Sequence, residues 1–226
     1  MRFFAAIGFF MHALTIKIDG VQYASWMDSV RNFARNGALC VNVLHVLSGF
    51  LIVFLLLKEE NTNGSFSVIR YYLRRTLRIW PLYFLVLLMF FLVIPALMHL
   101  FGRDYHETAN PVAYIFFWSN FYIIKYGFPY SPVLAVLWTI SVEEQFYIVM
   151  PWLMKFFKRW RMHVLIIVIL ISTGFRIYYR DNGTVLFFNT FCIMSDFAVG
   201  ALIALFAVNE HPLFIRWKST SRKSGA

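Results

Sequence analysis

A chain of 226 residues with 60% hydrophobic and only 14% charged side chains has too little polar surface to coat a soluble domain, which carries about 25% charged residues. It reads as an all-α integral membrane protein, and the span-dense, aromatic-rich pattern behind its net charge of +10 argues against a nucleic-acid partner. Cys40 and Cys192 both lie inside apolar runs and there is no CxxC, HExxH or glycine-rich phosphate loop, so neither a disulfide framework nor a metal site is expected.

A bilayer core of about 30 Å is crossed by roughly 20 helical residues. In chain order, the first apolar run covers residues 3–18 and contains His12. It lacks a small-residue cleavage pattern and leads through a polar stretch into another apolar run, so it reads as a span and not as a removed signal peptide. Residues 38–57, with His45, form the second run and residues 82–101 the third. Residues 112–124 are aromatic and apolar but short, and include Ser119 and Asn120. Residues 134–154 follow, interrupted by Glu143 and Glu144, then 164–179, with Arg176, and 185–208, with Asp196. Cytoplasmic flanks collect Lys and Arg. If residues 112–124 do not cross, segments 1–2, 58–78, 155–161 and 209–226 share one side and hold most of the 21 Lys and Arg residues. The expected fold is therefore a transmembrane helix bundle of six spans plus one short re-entrant or interfacial helix. It comprises a transmembrane domain over 1–208 and a polar basic tail over 209–226. The expected location is the cell (plasma) membrane, with both termini cytoplasmic.

Polar groups inside a membrane are costly and mark functional candidates. Here they are His12, His45, Glu143, Glu144 and Asp196. His12, the glutamate pair and Asp196 fall at similar depth, where a histidine and a carboxylate make a general-base pair. The alternative is that these groups only hold helices together. At the mouth of the bundle, residues 70–81 read RYYLRRTLRIWP. Arg75 and Arg78 share a helix face, with Arg74 close to it. Guanidinium forks match phosphate oxygens and suit a polyphosphate ligand, and the plainer reading is an anchor for anionic membrane lipid.

The strings VLSGFLI (46–52), YYLRRTLRIWPLY (71–83), LWTISVEEQFYIVMP (137–151) and SDFAVGALIA (195–204), with the opening RFFAAIGFFMH (2–12), resemble in order and spacing the acyltransferase-3 family of bacterial membrane O-acyltransferases. That resemblance implies a larger helical bundle than this chain supplies, so the chain is expected to be truncated at its C-terminus and slightly at its N-terminus. It implies acyl-CoA, commonly acetyl-CoA, as a co-substrate that is not tightly bound, and transfer to a hydroxyl of a cell-surface or exported glycan or a lipid-linked saccharide. By position, His12 matches the catalytic histidine and Arg2 its partner arginine. Arg74, Arg75 and Arg78 match the contacts to the CoA phosphates. Glu143 and Glu144 match the motif carboxylate, with Glu144 favoured. Arg2 and His12 are ten residues apart, one fewer than in the family pattern, which leaves them about 80° apart on a helical wheel. Two other readings stay open: a catalytically inactive paralogue, and a transporter using His12 and the buried acids as a proton relay.

Overall fold

The computed structural model describes residues 37–103, 105 and 107–208. The expected span over 3–18, with Arg2 and His12, and the tail over 209–226 lie outside these residues. Among the described residues, five helical segments are long and apolar enough to cross a membrane, namely Leu39–Asn63, Val68–Leu100, Pro132–Phe156, Arg161–Tyr178 and Thr190–Val208.

The first long helix, α1 (Gly37–Asn63), is followed by α2 (Val68–Leu88), a π-helical turn (Met89–Val93) and α3 (Ile94–Leu100). The last three form one continuous rod. The sequence expects a span beginning at residue 82, whereas the helix starts at Val68. The Ser67 side chain caps it by accepting from the Arg70 amide. Pro81 then sits inside a helix already stabilised by buried Tyr71 and Tyr83 on either side. The π turn has a local cause. Pro95, near the start of α3, offers no N–H and its ring crowds the carbonyl four residues back, and widening the preceding turn relieves that crowding.

Residues 112–124 form no helix long enough to span a bilayer. They divide into two short helices, α4 (Pro111–Ile115) and α5 (Ser119–Tyr126), separated by a left-handed Phe117 (φ 55°). Both lie on the side where α3 ends and the next rod begins. The loop around them is clasped by Glu107, whose carboxylate accepts the amides of Tyr130 (2.8 Å) and Ser131 (3.0 Å) and the phenol of Tyr105 (2.8 Å). Burial, and then the adjacent Glu107 carboxylate, push that phenol up to about 12.

The second half comprises α6 (Pro132–Val136), α7 (Trp138–Phe156), α8 (Arg161–Tyr178), α9 (Gly183–Phe188) and α10 (Thr190–Val208). The single run expected over 185–208 is broken at Asn189, which is extended. The break is held by side chains. Asn120 on α5 donates to the Phe188 carbonyl (3.1 Å) and to Thr190 (2.9 Å), while Thr190 donates to Gln145 on α7. A carbonyl taken by Asn120 is no longer needed by a continuing helix.

The directions of the rods follow from their contacts. Ser48 meets Glu143, while Glu60, further along α1, meets Lys158 and Arg161 just past the end of α7, so α1 and α7 run parallel. Tyr72 bonds the Ile148 carbonyl and Trp80 bonds Glu144, so α2 runs against α7. Helix α8 begins at Arg161 beside Glu60 and ends near Arg176, which meets Cys192 and Asp196 early in α10. The five rods therefore alternate in direction. Lys58, Arg70, Arg74, Arg75, Arg78, Lys155, Lys158, Arg159 and Arg161 all fall toward one end of the bundle, here called the cationic end. Helices α1 and α10 make the tightest contact. A Cβ at Gly49 would collide with the Phe197 carbonyl, and one at Gly200 with the Val46 carbonyl.

Candidate active site

Glu143 and Tyr147 lie one turn apart on α7 and so share a face. The Tyr147 hydroxyl donates to Glu143 Oε2 at 2.6 Å, and the Ser48 hydroxyl, from α1, donates to Oε1 at 2.9 Å. Glu143 is about 20 Å from the end of α7 at Phe156, counting 1.5 Å per helical residue, which is mid-span. A carboxylate at that depth needs donors to offset its lost hydration, and these two hydroxyls supply them. The other face of Tyr147 is occupied by α2. The Arg75 guanidinium lies 3.8 Å from the centroid of its ring and 5.5 Å from that of Tyr71. Ser48, Glu143, Tyr147 and Arg75 thus form one continuous set of contacts across three helices.

Glu143, Tyr147 and Arg75 of this set line a cavity of about 780 Å³ between α1, α2 and α7. Toward the cationic end the same cavity is lined by Lys58, Arg70 and Arg74, and Arg78 lines it one turn beyond Arg75 on α2. The arginines picked out by the sequence are therefore gathered with Glu143 around one space. They differ in commitment. Arg74 is paired with Glu59 at 2.5 Å, and Arg70 is 4.0 Å from the same carboxylate. Arg75 and Arg78 have no carboxylate partner among the described residues. The cavity thus joins two guanidinium groups open to an anion with a carboxylate in the middle of the membrane.

The two adjacent glutamates are separated by the helix. Glu143 faces the cavity, whereas Glu144 is buried at 6% exposure and accepts from Trp80 Nε1 at 3.3 Å. Its Oε1 has no hydrogen-bond partner among the described residues. Asp196 is near the same level, since its neighbour Phe197 stacks on Phe146 at 4.3 Å, but it turns toward α8 and pairs with Arg176 at 3.0 Å. The structure therefore does not bring it to Glu143. His45 is 1% exposed, lies 4.7 Å from Phe197 and 6.3 Å from Trp138 between ring centroids, and has no hydrogen-bond partner for either ring nitrogen among the described residues.

Ser48, Glu59 and Tyr147 are functional candidates that the sequence reading does not single out. The spacing of Glu143 and Tyr147 carries a readable signal, four residues on one helix. Ser48 carries none, because a serine in an apolar run acquires its meaning from the helix opposite.

A family model described as an acyltransferase domain matches residues 1–224. The chain is similar to the O-acetyltransferase OatA of Staphylococcus aureus (strain NCTC 8325 / PS 47), with 29% identity over 99% of this chain and 36% of that protein. It is also similar to the peptidoglycan O-acetyltransferase OatA of Listeria monocytogenes, with 28% identity over 57% of this chain and 21% of that protein. The chain thus spans about a third of the length of the first relative. No solved structure matches it.

Proposed function

The chain belongs to the family of acyltransferase domains, and from that premise we propose that it is a plasma-membrane enzyme moving an acetyl group from acetyl-CoA to a hydroxyl of a cell-wall glycan, with the donor entering from the cytoplasm. The observation that carries this reading is the cavity running from Arg75 and Arg78 to Glu143. These guanidinium groups, which have no carboxylate partner among the described residues, suit the phosphates of a CoA ester. The density of Lys and Arg at the same end supports a cytoplasmic assignment for it, and with it cytoplasmic termini. The peptidoglycan named for the Listeria relative is the acceptor class we favour.

In the proposed reaction His12 removes the proton from the acceptor hydroxyl as its oxygen attacks the thioester carbonyl. The C–S bond then breaks, and the departing thiolate takes the proton back from the imidazolium. Glu143, held by Ser48 and Tyr147, balances the charge on that imidazolium. Arg75 and Arg78 hold the donor. Arg74, already paired with Glu59, shapes the mouth, and Arg2 assists His12.

The test is acetyl transfer and thioester consumption by the full chain in proteoliposomes supplied with acetyl-CoA and a soluble glycan acceptor. His12→Ala is expected to reduce turnover by at least a hundredfold with the fold intact. Arg75→Gln and Arg78→Gln are expected to raise the KM for acetyl-CoA by about tenfold each, since a charge-assisted hydrogen bond contributes roughly 1.5–3 kcal/mol. Proton-coupled flux without thioester consumption would replace this reading with a transporter.

A further inference from the structure

A second groove, of about 430 Å³, lies at the cationic end between the start of α8 and the end of α10. It shares no lining residue with the cavity at Glu143. Its walls divide by chemistry. Lys158, Arg159 and Arg161 form the rim, and Met162, Leu202, Leu205 and Phe206 form an apolar floor.

The rim is held in place from the neighbouring helix. Glu60 on α1 binds Lys158 at 2.6 Å and Arg161 at 2.7 Å, and Arg161 Nε also donates to the Met154 carbonyl at 2.8 Å. One carboxylate thus offsets one of the three cations. Arg159, on the exposed turn between α7 and α8, has no carboxylate partner among the described residues. The cluster keeps a net positive charge in a fixed arrangement.

Nearby aromatics give its depth. Trp152 and Trp160 are 41% and 56% exposed, with Lys155 over the Trp152 ring at 5.9 Å and His163 edge-on to Trp160 at 5.1 Å. Exposed tryptophans beside lysines mark the headgroup level of a bilayer. The rim therefore lies among headgroups, and the floor faces acyl chains.

We propose that this groove binds one anionic phospholipid, its phosphate seated on Arg159 and Lys158 and an acyl chain laid along Leu202, Leu205 and Phe206. Charge complementarity selects an anionic headgroup over a zwitterionic one, and the apolar floor selects a lipid over a soluble phosphate. The site is independent of the acyl-transfer reading.

Native mass spectrometry of the purified full chain tests it, using equimolar phosphatidylglycerol and phosphatidylcholine of matched chains. One phosphatidylglycerol should be retained per protein under conditions that strip phosphatidylcholine. Arg159→Gln, which breaks no ion pair, should weaken retention about fivefold, the effect of one cation near a membrane surface. Lys158→Gln should do the same. Equal retention of the two lipids by the wild type, undiminished retention by Arg159→Gln, or displacement by millimolar inorganic phosphate would each overturn the proposal. Thermal unfolding in phosphatidylcholine nanodiscs shows that the variants are folded, and a loss of retention in a folded Arg159→Gln supports it.

Discussion

Tyr147 carries two interactions that substitution separates: its hydroxyl donates to Glu143 and its ring lies under Arg75. Tyr147→Phe keeps the ring and removes the donor. The proposed mechanism then expects kcat to fall about tenfold or more, since a hydrogen bond to a charged group contributes roughly 1.5–3 kcal/mol, with the KM for acetyl-CoA within about twofold. Tyr147→Leu removes the ring as well. A cation–π contact is worth roughly 1–2 kcal/mol when desolvated, so the KM should rise about fivefold on top of the kcat loss. Steady-state kinetics on both variants check this; equal kinetic profiles would show that the two interactions are not separable. The sequence shows an acidic pair on an apolar helix and an arginine cluster, and one of the pair, Glu143, lines the cavity with the arginines. It does not show which glutamate faces the cavity. Adjacent residues point about 100° apart on a helix, and only the positions of α1 and α2 decide that Glu143 meets Ser48 while Glu144 meets Trp80.

Helix pairs in a membrane gain little from the hydrophobic effect and depend on close contact between small residues. That places Gly49 and Gly200 at the centre of the α1–α10 contact, where each faces the other helix's backbone. Gly200→Ala forces the helices apart, because the atoms in its way belong to Val46 and Phe50 main chain. Overpacking of this kind costs roughly 1–3 kcal/mol or more, and a lower unfolding temperature with poor recovery of folded protein is expected. Gly174, on the exposed side of α8, has nothing within 4 Å. Gly174→Ala should leave the protein as stable or raise stability by roughly 0.5–1 kcal/mol. Differential scanning fluorimetry in detergent distinguishes the two. Element existence is legible in the sequence through run length and hydropathy, and the short aromatic segment at 112–124 forms only short helices. The boundaries are less legible. Val68 starts a helix well before the apolar run because Ser67 caps it, and α10 starts after a break because Asn120 takes the Phe188 carbonyl. Both events depend on side chains that hydropathy does not weigh.

The alternation of the rods places Asn61 and Tyr126 at opposite ends of the bundle, both exposed. With Cys40 and Cys192 replaced by Ala, Tyr126→Cys is expected to react with a membrane-impermeant maleimide on intact cells. Asn61→Cys is expected to react only after permeabilisation. The reverse pattern would place the cationic end outside and remove cytoplasmic acyl-CoA as the donor. That cationic end also has an electrical consequence. In a bilayer energised to about 100 mV, negative on that side, each elementary charge carried across would cost roughly 2.3 kcal/mol. Under the proposed orientation, inverting the bundle would move Lys58, Arg70, Arg75, Arg78 and their neighbours against this field, so the membrane potential would reinforce the placement of the cavity, and de-energised membranes are where misoriented copies should accumulate.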